Sequence, residues 1–526
     1  MSYKHDPGML GMEGAEEQTT EANLENEYER SKPKPRLREA NREQGVLIAI
    51  DVEKLISEEH DARAIWEMIK RLDLSIYLGK IRSVEGVAGR SAYDPRVLLT
   101  LWIYAYSKGE SSSRKIEELC GHDPAYMWIT GLKVIGYHTI SSFRSKHREA
   151  LNDIFVQLVG VLGADGLVSL ERVTLDGTKV KANASRKSFR RKKRIDKFQE
   201  EARKQIEVME ALEQDEESQS KVNKAKERAA REWKEKLDLA TEELQKIQSY
   251  KNSRSEPEEA RVSTTDPECR VMRFGSDGGI APAYNVQLST DAATGIIVAA
   301  AATSSPNDTD ELMPAVQQIE ENTNRKPEQI VTDTGYPTRE NIIEMEKAEI
   351  DFIAPMGLGV TDTENQLKRW GIDPAFAPSS FRYDETKNRM ICPAGKEMKL
   401  CGKEFRSGVT RHRYQAKRID CNACPNKALC CPHTDKGRTI TRLEDDPVVA
   451  EFKRKMSTEE AKATIKQRGP TAEFVNAWIK EKFGLREFSM RGLTKVDMEV
   501  KWVSITYNIK QWIRQRWRPL LASAIY

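Results

Sequence analysis

Two short apolar runs constrain the fold of this chain more than anything else in it. VTLDGTK around Asp176 and IVTDTGY around Asp333 each lead apolar and β-branched residues into an aspartate, with a glycine within the next two positions. Runs of this kind read as buried strands with a carboxylate at the end, projecting from a rigid edge into a crevice. Strand-Asp-Gly is also an ordinary turn. The neighbouring segments extend the pattern: ERVTLDGTKVKA, APAYNVQLSTD and TGIIVAAAAT read as three strands, DELMPAVQQIEENTN as an amphipathic helix, EQIVTDTG as a strand, and TRENIIEMEKAEIDFIAP as a helix running into a further strand. This alternation predicts an α/β core.

The core is expected over residues 169–526, with two insertions. From Ile195 to Ile247 apolar residues recur at heptad-like intervals (Ile195, Phe198, Ala202, Ile206 and Met209, then Val222, Ala225, Ala229, Trp233, Leu237, Ala240, Leu244 and Ile247), broken by the polar EQDEESQS. That pattern predicts a helical hairpin inserted over residues 190–255. A Cys-rich subdomain follows at 380–440. Upstream, residues 46–168 read as helical: Val97, Leu98, Leu101, Trp102 and Ala105 line one face of a helix that Gly109 ends, Ser111, Ser112 or Ser113 caps the next, and HTISSFRSKHRE begins another, rich in Arg144, Lys146, His147 and Arg148. Short helices closing on a basic one suit a DNA-binding domain; a helical dimerisation module has the same pattern. Residues 1–45 read as a polar, disordered tail with no signal peptide.

A chain of 526 residues is long enough for several cores. It is 38% hydrophobic and 32% charged, and no apolar run approaches the roughly 18 residues of a membrane span, so a cytoplasmic protein is expected. The formal net charge is only +3, but the charges are segregated. Between Gly177 and Ile195 stand nine cations and no carboxylate: Lys179, Lys181, Arg186, Lys187, Arg190, Arg191, Lys192, Lys193 and Arg194. A second basic stretch follows Glu499, where Lys501, Lys510, Arg514, Arg516 and Arg518 interleave with Trp502, Trp512 and Trp517. Phosphate backbones are the expected partners of both, although tryptophans packing a terminal helix account for the second equally well.

Two strand-terminal aspartates and a third acid from a helix make the oxygen-rich set that Mg²⁺ prefers. Phosphoryl transfer on DNA uses such a set to hold two ions about 3.5–4 Å apart. At this point the residues match a known pattern. After residue 45 the chain resembles bacterial insertion-sequence transposases of the DDE superfamily, whose third acid lies in a Y-x2-R-x3-E-x6-K signature. RGPTAEFVNAWIK sets Glu473 and Lys480 at the E-x6-K separation, on one helix face; GLREFSMRGLTKVDMEVKW resembles the family's tail, and HTISSFR with DPRVLL its N-terminal helical domain. The match is imperfect. Four residues separate Arg468 from Glu473, Gly469 and Pro470 among them, and the tyrosine position falls on Ile465. Glu481 and Glu487 lie nearby, but neither has a lysine at the required offset.

The resemblance implies a ribonuclease-H-like mixed-sheet core, with Asp176, Asp333 and Glu473 as catalytic residues and ligands of two Mg²⁺ ions that Mn²⁺ can replace. It implies DNA contacts by Lys480, Arg468, Lys179, Lys181, Arg186, Lys187 and Arg144. Asn307 and Asp308 in SSPNDTDELMP are also singled out, but an Asx turn capping the next helix explains them, so they are left outside the site. Similar transposases carry a Cys-rich segment between the second aspartate and the glutamate. Six of the eight cysteines here fall within forty residues, and in a reduced compartment clustering points to metal. Cys392, Cys421, Cys424 and Cys430 form the expected structural zinc site; Cys401, Cys431 and His433 are near enough in sequence to substitute, and a metal-free insertion remains open. The implied function is cleavage and strand transfer of an insertion sequence, on terminal inverted repeats and target DNA, by a bacterial homo-oligomer that joins the nucleoid when bound. A domesticated DNA-binding protein and a structure-specific nuclease are the alternatives.

Overall fold

The computed structural model describes residues 49–84, 91–213, 221–253, 256, 258–274, 279–356, 367–406, 409–444 and 446–524, and the expected tail at 1–45 lies outside them. The axis of the sheet is β1 (Arg172–Lys181), whose Val173, Thr174 and Leu175 are buried while Asp176 to Lys179 are half-buried. The strand thus leaves the core where its carboxylate appears. It pairs antiparallel with β2 (Ile280–Asp291), from Val173↔Asp291 to Lys181↔Ala283, and β2 pairs antiparallel with β3 (Ile297–Thr303). On its other side β1 runs parallel to β4 (Gln329–Val331), and β4 parallel to β5 (Asp351–Ile353). A short strand, Arg270–Arg273, also pairs antiparallel with β2 and completes a six-stranded sheet, in which the order β3-β2-β1-β4-β5 makes the ribonuclease-H-like arrangement that the resemblance implied.

Four long helices precede the sheet: α1 (Asp61–Lys70), α2 (Pro95–Ser107), α3 (Tyr137–Lys146) and α4 (Arg148–Ala164). Local chemistry sets their ends. Asp94 accepts a hydrogen bond from Arg96 N ahead of Pro95, the first residue of α2, and Ser112 Oγ accepts one from Lys115 N to cap the short helix Ser113–Leu119. The inserted hairpin is α5 (Lys192–Glu213) and α6 (Lys221–Ser253), which close a small core of Ile195, Ala202, Leu237, Ala240 and Leu244. Its seam differs from the expected one in the second arm, where Ala230 is buried and Ala225 and Ala229 are exposed. The hairpin is tied to the body by buried Glu243, which pairs with Arg270.

After the sheet strands come α7 (Leu312–Thr323) and α8 (Arg339–Lys347). The Cys-rich segment is an antiparallel meander of β6 (Arg382–Asp384), β7 (Arg389–Ile391), β8 (Glu397–Arg406), β9 (Val409–Ala416) and β10 (Thr439–Glu444), with a core of its own around Met390, Met398 and Tyr414. The chain closes with α9 (Pro447–Met456), α10 (Glu459–Glu481) and α11 (Leu493–Trp512). No described helix is long and apolar enough to cross a membrane.

The helix α11 joins the N-terminal helices to the sheet, packing on β3 on one side and on α2 and α4 on the other. It is buried nearly all round, so its polar side chains need partners inside. They find them on the outer edge of β3: Asp497 Oδ1 accepts from Ala302 N, Lys501 Nζ donates to Ala300 O, and the Asn508 amide pairs with both Ile297 N and Ile297 O. An open sheet edge is thereby covered by side chains rather than by another strand. One continuous hydrophobic cluster accordingly runs from the N-terminal helices through the sheet to α11.

This packing corrects the expectation for several cations. Lys501 is 3% exposed, Lys510 and Arg518 pair with Asp61, and Arg516 donates to Asp165 O. The second basic stretch is therefore structural in large part. Arg144, expected to meet DNA, is 8% exposed, lies over the Trp102 ring, and donates through Nη1 to Tyr106 Oη, Ser111 O and Ser489 Oγ. A guanidinium buried this deeply is out of reach of a phosphate. Arg144→Ala is expected to cost about 3 kcal/mol of stability by leaving buried polar groups unpaired, read by urea denaturation, without changing the slope of log affinity for DNA against log salt. A smaller slope in the variant would mean that Arg144 does meet phosphate.

Candidate active site

The register of β1 and β4 sets the geometry. Val173 pairs with Ile330 and Thr174 with Val331. Continued two residues further, the same register brings Asp176 level with Asp333, on adjacent strands that lie about 4.8 Å apart. Asp333 is held by a turn in which Gly335 N donates to its Oδ1 at 2.8 Å. Asp176, whose side chain is 17% exposed, is met by α10: Arg468 Nη1 lies 3.2 Å from its Oδ1, and Asn476 Nδ2 donates to its Oδ2 at 2.6 Å. One turn further along α10, Lys480 Nζ donates to Thr178 Oγ1. The helix runs unbroken through Gly469 and Pro470, which keeps Arg468, Asn476 and Lys480 on the face turned to β1.

A third carboxylate reaches the same place, and it is not Glu473. Asp308, in the loop before α7, accepts at Oδ1 from Asn285 Nδ2 (2.7 Å) and Gln287 Nε2 (2.6 Å), both on β2. It does not cap α7, whose N-cap is Glu311, so the capping explanation fails. A Cβ added to Gly177 would stand 2.2 Å from Asp308 Oδ1 and 2.8 Å from Gln287 Nε2. Gly177 is a glycine because Asp308 leans on the backbone of β1 beside Asp176. Sequence reading put Asp308 aside, and it had no signal for Asn285, Gln287 or Asn476, whose roles depend on strand register and helix phase.

Glu473 lies on α10 three residues before Asn476 and is exposed, its Oε1 3.7 Å from where a Cβ on Gly469 would stand. The structure brings together Asp176, Asp333 and Asp308 and leaves Glu473 at the rim. Among the described residues no three acidic, histidine or cysteine groups stand in a ready metal-binding arrangement. Both oxygens of Asp176 are instead taken by α10.

The electrostatics nevertheless favour a cation. Burial pushes the Asp176 carboxyl above its usual range, the charges of Asp333 and Asp308 push the same way, and Arg468 opposes them. Burial also lowers the Lys480 ammonium, with Asp176 holding it up. A half-buried set of three carboxylates facing one guanidinium and one ammonium keeps a net negative charge, which fits a divalent ion.

The other expected residues are dispersed. Lys181, the last residue of β1, and Arg186 and Lys187 beyond it are exposed, while Lys179 Nζ donates to Arg273 O. In the Cys-rich subdomain, Cys392, Cys421, Cys424, Cys430 and Cys431 line one small cavity with Phe376 and Phe381, all as free thiols. Lys396 N donates to Cys392 Sγ at 3.3 Å and Arg438 N to Cys421 Sγ at 3.4 Å. Cys401 is exposed on β8, outside the cavity.

Residues 391–513 match the family model described as "Transposase DDE domain", and residues 50–146 match "Transposase domain (DUF772)". The first match includes α10 and starts beyond both aspartates. No curated protein matches the chain. Among solved structures, a piggyBac transposase synaptic complex with hairpin DNA is similar over 86% of this chain and 73% of that one, at 9% identity and a TM-score of 0.29. That likeness is too loose to bear on the site.

The close approach at Gly177 is testable by stability alone. Gly177→Ala is expected to cost about 1–3 kcal/mol by overpacking, and Asp308→Ala in the same chain to recover most of it, measured as a double-mutant cycle in urea. Additive losses would place the Asp308 carboxylate elsewhere. Transposase family models thus match the N-terminal helices and the stretch across α10 and α11, in a chain whose sheet has the ribonuclease-H-like strand order.

Proposed function

We propose that this transposase cuts DNA at the ends of its element and joins them to a target, with Asp176, Asp333 and Glu473 holding two Mg²⁺ ions that Mn²⁺ can replace. The single observation that carries the residue assignment is the β1–β4 register, which sets two strand-end carboxylates side by side at the exit of the core. Glu473, exposed on α10 three residues before Asn476, is the proposed third ligand from the helix. When bound, the ions supply charge to the attacking and leaving oxygens of a phosphodiester. The residues themselves supply the rest. Asp176 and Asp333 offer rigidly held oxygens, and Arg468 and Lys480 add fixed positive charge beside them, where negative charge grows on a transferring phosphate.

DNA is the partner this arrangement serves. The exposed cations Lys181, Arg186 and Lys187 continue outward from β1, so a backbone bound along them leads to the carboxylates. Terminal inverted repeats and target DNA are the proposed substrates. A homo-oligomer is proposed because two element ends have to be held together. Zinc is proposed in the thiol cavity, through Cys392, Cys421, Cys424 and Cys430, with Cys431 lining the same space; the two backbone N–H groups aimed at Cys392 and Cys421 support thiolates there.

Cleavage and joining of DNA carrying the element's ends test the triad. Asp176→Asn, Asp333→Asn and Glu473→Gln are each expected to lose activity by about 10²-fold or more, with DNA affinity kept. A Glu473→Gln variant that cuts normally would remove Glu473 from the site, and a wild type that binds but never cuts would replace the enzyme with a DNA-binding protein. For the cavity, elemental analysis of purified protein is expected to show one zinc per chain, lost in Cys421→Ser; protein free of zinc would leave the cysteines as a packed, metal-free insertion.

A further inference from the structure

We propose that Asp308 is a ligand of the catalytic cations, a fourth acidic residue of the site beside Asp176, Asp333 and Glu473. The inference rests on the metal-dependent transposase reading above and adds a residue to it.

Its position comes first. Points defined by the backbone at Gly177 on β1 and at Gly335 in the turn after β4 locate the carboxylates without reference to any side-chain partner. A Cβ on Gly335 would stand 3.1 Å from Asp333 Oδ1 and 3.4 Å from Asp308 Oδ2, and one on Gly177, next to Asp176, would collide with Asp308 Oδ1. Asp308 therefore faces both strand ends at once, whereas Glu473 stands exposed at the rim.

Orientation follows from the hydrogen bonds. Asn285 and Gln287 both donate to Oδ1, and Tyr336 Oη donates to Gln287 Oε1 at 2.5 Å, which fixes the Gln287 amide with its NH₂ toward Asp308. Asn285, Gln287 and Tyr336 are 1%, 4% and 0% exposed. Two buried side chains, one of them fixed in turn by Tyr336, thus hold one oxygen of Asp308, and the other, Oδ2, lies on the Asp333 side. Carboxylate ligands of metal ions are oriented in this way by hydrogen bonds from behind. Amide dipoles orient the group but cancel none of its charge. With Arg468 spent on Asp176, a divalent cation is the partner that offsets Asp308 and Asp333 together.

The test is Mn²⁺ binding by the full chain without DNA, zinc-replete, followed by titration calorimetry and so independent of catalysis. Asp308→Asn is expected to weaken Mn²⁺ by about 10- to 100-fold, as Asp176→Asn does. Loss in Asp176→Asn with wild-type affinity in Asp308→Asn would overturn the role of Asp308 and leave the metal site standing. Wild-type affinity in both would overturn the metal site itself. Should Asp308→Asn not fold, the wild type decides: ferrous iron with ascorbate and peroxide is expected to cleave the chain at Asp308 as well as at Asp176 and Asp333. Cuts at the two strand ends with none at Asp308 would rule it out.

Discussion

The parallel pairing of β1 with β4 is the contact on which the rest of the site depends. A parallel register fixes which residues stand level, and here it sets Asp176 level with Asp333. The ladder itself stops at Val331, two residues short of Asp333, and the turn closed by Gly335 N onto Asp333 Oδ1 carries the register to the carboxylate. The remaining parts of the site are arranged around that pair. Asp308 comes over the top of β1 because Gly177 has no side chain to stop it, and α10 crosses the same strand with Arg468, Asn476 and Lys480 turned inward. The site is thus built on rigid elements, which suits chemistry that relies on positioned charge.

Basic residues divide into two populations, and burial separates them. Lys501 and Lys510 on α11 work inside the molecule, where each must be matched by a carboxylate or carbonyl: Lys501 by Ala300 O and Lys510 by Asp61, which also pairs with the more exposed Arg518. Arg144 belongs with them, clamped between Trp102 and Ser489. By contrast Lys181, Arg186 and Lys187 project from the end of β1 into solvent. Only this second population is free to meet phosphate. Arg468 and Lys480 stand between the two, half-buried and close to the carboxylates, where a charge contributes more than it does in open water.

Much of the fold was legible in the sequence because it is carried by local periodicity. The strands at β1 to β5, the two arms of the hairpin and the helix after Asp94 follow from apolar spacing and caps, and the structure has them within a few residues of the expected bounds. What the sequence did not disclose depends on tertiary contact. The charge of Arg144 looks the same in a string of letters whether it faces water or Trp102. Asp308 reads as a turn residue, since only strand register shows that Asn285 and Gln287 reach it from β2. The heptad count chose Ala229, where the hairpin buries Ala230, because a polar break between two arms leaves their relative phase unset.

The most direct measurement of the central claim is anomalous scattering from Mn²⁺ in crystals of the full chain bound to DNA ends. The account predicts manganese peaks at the carboxylates of Asp176 and Asp333, as two ions about 3.5–4 Å apart. Well-ordered DNA with manganese bound elsewhere, and Asp176 still paired to Arg468 and Asn476, would contradict it.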